Sequence, residues 1–276
     1  MSSIKIVTDS SITIEEGLAE KLGITIVSLS FMIDGIVYQD SEVSGNEFMR
    51  MMAEGRTLPK TSQPPIGEFV EIYKQLMADG SSIISIHMSQ SLSGTVEAAR
   101  QASKLVEGDI TVIDSGFTDQ GLSFQVIEAA KLAQNGESKE IILNKIAEVK
   151  SKTKLYIGIT NLDNLVKGGR ISRLTGVMSN FLNVKIVMEF INGELRPIVK
   201  GRGTKAFMKW FEDWKNEVDF SQITALGISH ANGLELSEKF KSEISSHLPQ
   251  ISIPVLDTGS IIATHTGPGA WAIMYY

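Results

Sequence analysis

The chain contains no cysteine. That absence removes disulfides, thiolate metal sites and a cysteine nucleophile together, and it suits a reducing compartment. The start, "MSSIKIVTDSS", has no basic segment leading into a long apolar core and runs straight into a strand pattern. Near the end, Thr258 to Tyr276 is free of Asp, Glu, Lys and Arg, but "THTGPG" interrupts it, which disfavours a lipid-exposed helix. Signature motifs are also missing. There is no G-x-x-x-x-G-K-[ST] phosphate loop, no G-x-S-x-G elbow and no His-x-x-x-His pair, and no repeat or low-complexity block. Cations are the minority charge, 26 Lys and Arg against 32 Asp and Glu for a net −6, so a general nucleic-acid binder is not expected.

What is present is ordinary globular composition, 42% hydrophobic and 21% charged over 276 residues, enough for one large or two ordinary domains. The expectation is a soluble cytoplasmic protein without stable membrane insertion. Ile4 to Val7 reads as a strand ending in "TDSS", and Ile24 to Phe31 as a second strand leading to a hairpin at Asp34-Gly35. Ser44 and Glu47 form a capping-box pattern before "GNEFMRMMAEG". "LPKTSQPP" reads as a rigid connection, because each proline fixes its own φ and extends its predecessor. Phe69, Ile72, Tyr73, Leu76 and Met77 then mark one face of a helix.

Strand Ile83 to Ile86, helix Thr95 to Val106, strand Ile110 to Ile113 and helix Thr118 to Ala133 alternate, which implies a parallel sheet with helices on its faces. Ser138 can cap the next helix. A domain change is placed in "EVKSKTK", giving an N-terminal three-layer α/β/α domain at 1–152 and a C-terminal two-layer α/β domain with a mixed sheet at 153–276. In the latter, "KIVMEFINGELRPIVKG" reads as a hairpin turned at Asn192-Gly193. A helix carries Phe207, Trp210, Phe211 and Trp214. Strands at Ile223 to Ser229 and Ile251 to Leu256 follow, and "AWAIMYY" is a further strand.

Four places carry chemistry. "HMSQSLSGTV" lies between a strand and a helix, with no Asp, Glu, Lys or Arg from Gly80 to Val96. Such a loop offers unpaired N–H groups and the positive end of the helix dipole to an anion; the plainer alternative is a cap by Ser93 or Gly94. "KTSQPP" carries further hydroxyls ahead of a helix, where a capped helix with proline near its start is the plainer alternative. "THTGPG" sets His265 between two threonines, where a satisfied core histidine is the commoner outcome. Lys167, Arg170, Arg173, Lys200, Arg202 and Lys205 gather in "KGGRISR" and "KGRGTK", suited to carboxylate or phosphate if the loops converge and a solvated patch if they do not. Asp9, Ser10 or Ser11 and His265 make a Ser-His-Asp triad on paper only.

In order, "VTDSS", "KTSQPP", "SLSGTVEAAR", "VIDSG", "GGRISR" and "THTGPGA" resemble the DegV family of fatty-acid-binding proteins, from Val7 to Ala270. The resemblance implies a two-domain fold holding a long-chain fatty acid between the domains. It also implies a non-catalytic subunit, with no cofactor of its own, of a bacterial fatty acid kinase. A separate ATP-binding kinase subunit would phosphorylate the carboxylate, and an acyltransferase would use the acyl phosphate in phospholipid synthesis. Thr61 and Ser93 would hydrogen-bond the carboxylate and His265 would join them, with Ser62, Gly94 and Thr266 alongside. Arg170, Arg202 and, more weakly, Arg173 would face the phosphate or partner. "NVKIVM" departs from a proline-containing strand frequent in the family. Neutral hydroxyls can satisfy a buried carboxylate without a counter-charge. The chain supplies the affinity, roughly 15 methylenes giving about 12 kcal/mol before ordering costs. Two rivals stand beside this reading: a self-sufficient small-molecule kinase or hydrolase using His265, and an interaction protein with lipid as a filler.

Overall fold

The computed structural model describes residues 3–170 and 184–276. In chain order the first half runs β1 (Ile4–Asp9), α1 (Leu18–Lys21), β2 (Ile24–Val27), β3 (Ser30–Ile33), β4 (Ile36–Gln39), α2 (Gly45–Glu54), β5 (Lys60–Ser62), α3 (Ile66–Met77), β6 (Ser82–His87), α4 (Thr95–Ser103), β7 (Ile110–Asp114), α5 (Asp119–Gln134) and α6 (Lys139–Lys152). The second runs β8 (Lys154–Ile159), α7 (Asp163–Lys167), β9 (Lys185–Ile191), β10 (Glu194–Gly201), α8 (Lys205–Glu217), β11 (Leu226–Ala231), α9 (Leu234–Ser245), β12 (Val255–Asp257), α10 (Ser260–Thr266) and β13 (Ala270–Tyr275).

Four strands pair in the order β2-β1-β6-β7, all parallel. A parallel sheet buried on both faces needs unbroken apolar strands, and every residue of β6 from Ile83 to His87 is buried. α3 and α4 cover one face through Phe69, Tyr73, Ala98 and Ala102. α5 and α6 cover the other through Leu122, Val126, Ile142 and Ile146. A second, mixed sheet has the order β10-β9-β8-β13-β11-β12. α8 and α9 pack Phe207, Trp210, Phe211 and Phe240 against its Val187, Ile228, Trp271 and Ile273. Its opposite face, with Met188, Ala272 and Met274, shares a core with Phe117 and Phe124 of the first half. The α/β class with a parallel and then a mixed sheet is as the sequence implies.

Local signals fare well where they are self-contained. Ser44 accepts the Glu47 N–H and Ser138 the Ile141 N–H as helix caps. Both hairpins turn through paired positive φ, at Asp34-Gly35 and Asn192-Gly193, the geometry their tight turns demand. Three readings are corrected. Ile24 to Phe31 is two strands in two sheets: β2 joins β1, while β3 leaves to pair β4 and β5 in a small antiparallel sheet. Leu29 is buried at the break, its N–H held by Ser10 Oγ and its carbonyl by Asp40 N–H. "KTS" is a strand rather than a connection, and no side chain caps α3, which starts after Pro65. "SIIATHT", to which the sequence reading assigns no element, forms a helix ended by Gly267 at φ 73. The strands expected at Ile223 to Ser229 and Ile251 to Leu256 sit later, at Leu226–Ala231 and Val255–Asp257.

Candidate functional site

The parallel sheet reverses its strand order between β1 and β6, and ligands in open α/β sheets gather outside the carboxyl ends of strands at such a point. The loops leaving these two strands are tied together underneath. Asp9 Oδ1 accepts the Ser11 N–H and hydroxyl at 3.1 and 2.6 Å, and Oδ2 accepts the Met88 N–H at 2.9 Å. His87 Nδ1 lies 3.0 Å from that same Oδ2, and its Nε2 lies 2.6 Å from Ser85 Oγ, which accepts the Tyr73 hydroxyl. Burial pushes the Tyr73 phenol up to about 12. Asp9, Ser85 and His87 are fully buried, so this line of side chains braces the loops and touches no solvent. The triad drawn on paper is not assembled: Asp9 meets His87, not His265.

Above these loops lies a cavity of about 390 Å³ between the two halves. Thr61, Ser62, Ser93, Gly94, Arg170, His265 and Thr266 all line it, although Thr61 and His265 are 204 positions apart. Pairing of β5 with β3 sets Thr61 opposite Phe31, and Thr61 Oγ1 lies 3.0 Å from His265 Nε2. Gly168 lets the ring sit there, since a Cβ at that position would collide with His265 Nδ1. Burial above all, then the positive charge of Arg170, pulls His265 down to about 4. The imidazole is therefore neutral near pH 7. His265 Nδ1 and Thr266 Oγ1 are buried without a hydrogen-bond partner among the described residues, so this corner retains polar capacity that the protein itself does not use.

Ser93 Oγ lies 2.9 Å from Thr95 Oγ1 and accepts the Thr95 N–H at 3.3 Å. The helix cap itself is Gly94, with no side-chain bond. Ser62, Gln63 and Gly94 are exposed, so this polar corner reaches the surface. Arg170 is half-buried and donates to the carbonyls of Leu92, at 3.2 and 3.3 Å, and Gly168, at 2.8 Å. A cation thus borders the cage that the sequence describes as neutral. Arg202 is exposed and outside the cavity lining, as are Lys167, Lys200 and Lys205. Arg173 lies outside the described residues. The structure brings Arg170, but not Arg202, to the hydroxyl cage.

Beyond the polar corner the lining turns apolar, with Leu155, Ile157, Met188, Phe190, Ala272 and Met274 on the mixed sheet facing Leu29, Met88 and Leu92. Two lining groups escape sequence reasoning. Gln63 packs its amide where a Cβ on Gly94 would go. Asp119, at the start of α5, accepts Ser229 Oγ at 2.6 Å, Thr258 Oγ1 at 2.7 Å and the Gln120 N–H at 2.7 Å. Burial raises its pKa. Gln63 stands inside the quoted "KTSQPP", whereas nothing near "FTDQG" distinguishes Asp119 from a surface acid. Among the described residues no helix is long and apolar enough to cross a membrane.

A family model described as "uncharacterised protein, DegV family" matches residues 3–276. A DegV domain-containing protein of Streptococcus pneumoniae is 52% identical over 275 residues, covering 99% of this chain and 98% of that one. YejH of Lactococcus lactis, also DegV domain-containing, is 52% identical over 273 residues, covering 98% of each. Among solved structures, Bacillus subtilis DegV, described as a fatty acid binding protein, superposes with a TM-score of 0.90 at 30% identity, covering 100% of this chain and 99% of that chain. A Thermus thermophilus DegV family protein, described by its fatty acid binding, gives 0.87 at 27% identity and 99% coverage of both.

Proposed function

The chain belongs to the DegV family, and from that premise we propose that it binds a long-chain fatty acid, head group at the Thr61–Ser93–His265 corner and tail over the mixed sheet. The observation that carries this reading is a single cavity joining a hydroxyl, imidazole and guanidinium corner to apolar walls. Each part has a physical role. Burial of the tail supplies most of the affinity, while the polar corner fixes which end enters. Hydroxyl donors from Thr61, Ser93 and Thr266 satisfy a carboxylate, and the Arg170 charge offsets its desolvation.

The finer reading is that the protein presents this carboxylate to a separate ATP-dependent kinase subunit, which forms an acyl phosphate for phospholipid synthesis. It is supported by the exposure of Ser62, Gln63 and Gly94 at the head-group end, which leaves the carboxylate reachable from outside. Arg170 at the cage and Arg202 on the surface would then act on the phosphate and the partner, respectively, in a cytoplasmic protein without catalytic groups of its own. A histidine held near 4 is a poor general base at neutral pH, which weighs against a self-sufficient hydrolase.

Extraction and mass analysis of protein purified from lipid-containing cells tests the binding directly, with fatty acid expected at near-stoichiometric amounts. The paired Thr61→Ala and Ser93→Ala variant removes two hydrogen bonds to a charged group and is expected to weaken fatty-acid binding roughly 100-fold, from about 1.5 kcal/mol each. Wild-type affinity in the double variant, or an empty wild-type protein, would overturn the assignment.

A further inference from the structure

The registers of the mixed sheet order the cavity floor into rows. Ala272 pairs with Ile157, which pairs with Met188, and all three line the cavity. Two residues further, Met274 pairs with Leu155, and the same antiparallel register brings Phe190 of β9 alongside Leu155, with Leu195 opposite Phe190. β13 begins at Ala270, just after the turn that follows His265. From Ala270 to Met274 the strand takes four steps, about 13 Å. The row of Met274, Leu155 and Phe190 therefore stands at the end of the floor remote from the polar corner.

A second cleft, of about 590 Å³, meets that row at Phe190. Its walls include exposed Lys150, Lys154, Gln90 and Asn192, so it opens to solvent. Among the described residues, Phe190 alone lines both cavities. The residue is 4% exposed and its ring meets Phe117 edge-on, with centroids 6.2 Å apart. Met274, by contrast, is capped from behind by α5, where its sulfur lies 3.2 Å from the Gly121 nitrogen.

We propose that Phe190, braced by Phe117, is the terminal wall of the acyl cavity and sets the longest straight chain the protein accepts. The proposal rests on the fatty-acid reading. While a tail extends over the sheet, each added methylene strengthens binding about fourfold. Once the tail meets the Phe190 ring, a further methylene must displace a packed aromatic pair, and affinity falls.

The test is a competition among straight-chain saturated fatty acids differing by two carbons, read as bound species by native mass spectrometry. For the wild type, a maximum followed by a fall is expected. Phe190→Ala opens the partition, so chains roughly two carbons or more beyond the wild-type maximum keep their affinity. Phe190→Trp moves the wall inward and shifts the maximum to shorter chains. Phe190→Leu gives a milder version of the opening should the alanine variant not fold, as judged by thermal unfolding. Folded variants with the wild-type length profile would overturn the proposal while leaving fatty-acid binding intact. A wild-type protein that captures no chain of any length would remove the underlying reading instead.

Discussion

At the scale of single residues, two adjacent glycines do different work. Gly168 has φ −75, open to any residue, yet a Cβ there would collide with the His265 ring. Gly169 has φ 73 and no atom near its absent Cβ. Gly168→Ala is expected to displace the imidazole from Thr61 and to cost about 1–3 kcal/mol by overpacking. Gly169→Ala is expected to cost about 1–2 kcal/mol through backbone strain while leaving the ring in place. Denaturant melts give the stabilities and histidine NMR shifts the ring environment; an unmoved His265 resonance in the Gly168 variant would contradict this account. Neither difference is visible in "KGGR" itself. The pairing of Thr61 with His265 was legible only through family resemblance, because no local rule relates residues so far apart. Gln63 stood within a quoted motif without a role, and Asp119 was not legible at all, since an amide or acid acquires its role from what folds against it.

At the scale of elements, the short helix α10 carries His265 and is fixed from several sides. Asp40, at the end of the β3–β4 hairpin, accepts the Ser260 hydroxyl, and the nearby N–H groups of Ser260 and Ile261 favour its charged form. Burial raises the Asp40 pKa, and those bonds only partly offset it. Asn164 of α7 donates to Thr264 O at 2.9 Å, and Asp119 accepts from Thr258 just before the helix. Asp40 does not line the cavity, so Asp40→Asn tests positioning alone. It is expected to lower stability by about 1–3 kcal/mol and to weaken fatty-acid binding with it; unchanged urea midpoints would show that the anchor is dispensable. Elements whose signals are local, such as the serine-capped helices and the Asp-Gly and Asn-Gly hairpins, were readable from sequence. β5 and α10 were not. A three-residue strand exists only because β3 offers it an edge, and a seven-residue helix persists only because buried partners hold its ends.

At the scale of the whole molecule, acid should act through groups of opposite sign. The unfolded chain protonates His265 near 6.5, whereas the folded protein resists until about 4. Between those values the unfolded state binds more protons, so this histidine makes stability fall as pH falls. Asp40 and Asp119 have raised folded pKa values, so their contribution is present at low pH and is lost as pH rises through those values. Replacing His265 by Gln should therefore flatten, or reverse, the decline of stability between about 6.5 and 4; an unchanged slope in urea melts across that range would refute this assignment. The broad plan of two sheets was evident from strand and helix rhythm. The third sheet was not, for Phe31, Ile33 and Phe48 belong to the first half in sequence but share a core with Ile159, Leu162 and Ala263 of the second. One consequence concerns synthesis. β13 follows all the other described strands in the chain, yet it lies inside the mixed sheet, between β8 and β11. Early segments generally fold first as a chain leaves the ribosome, so the parallel sheet can mature while the mixed sheet still lacks an inner strand. The cavity floor, to which β13 contributes Ala270, Ala272 and Met274, is then completed only after β13 emerges.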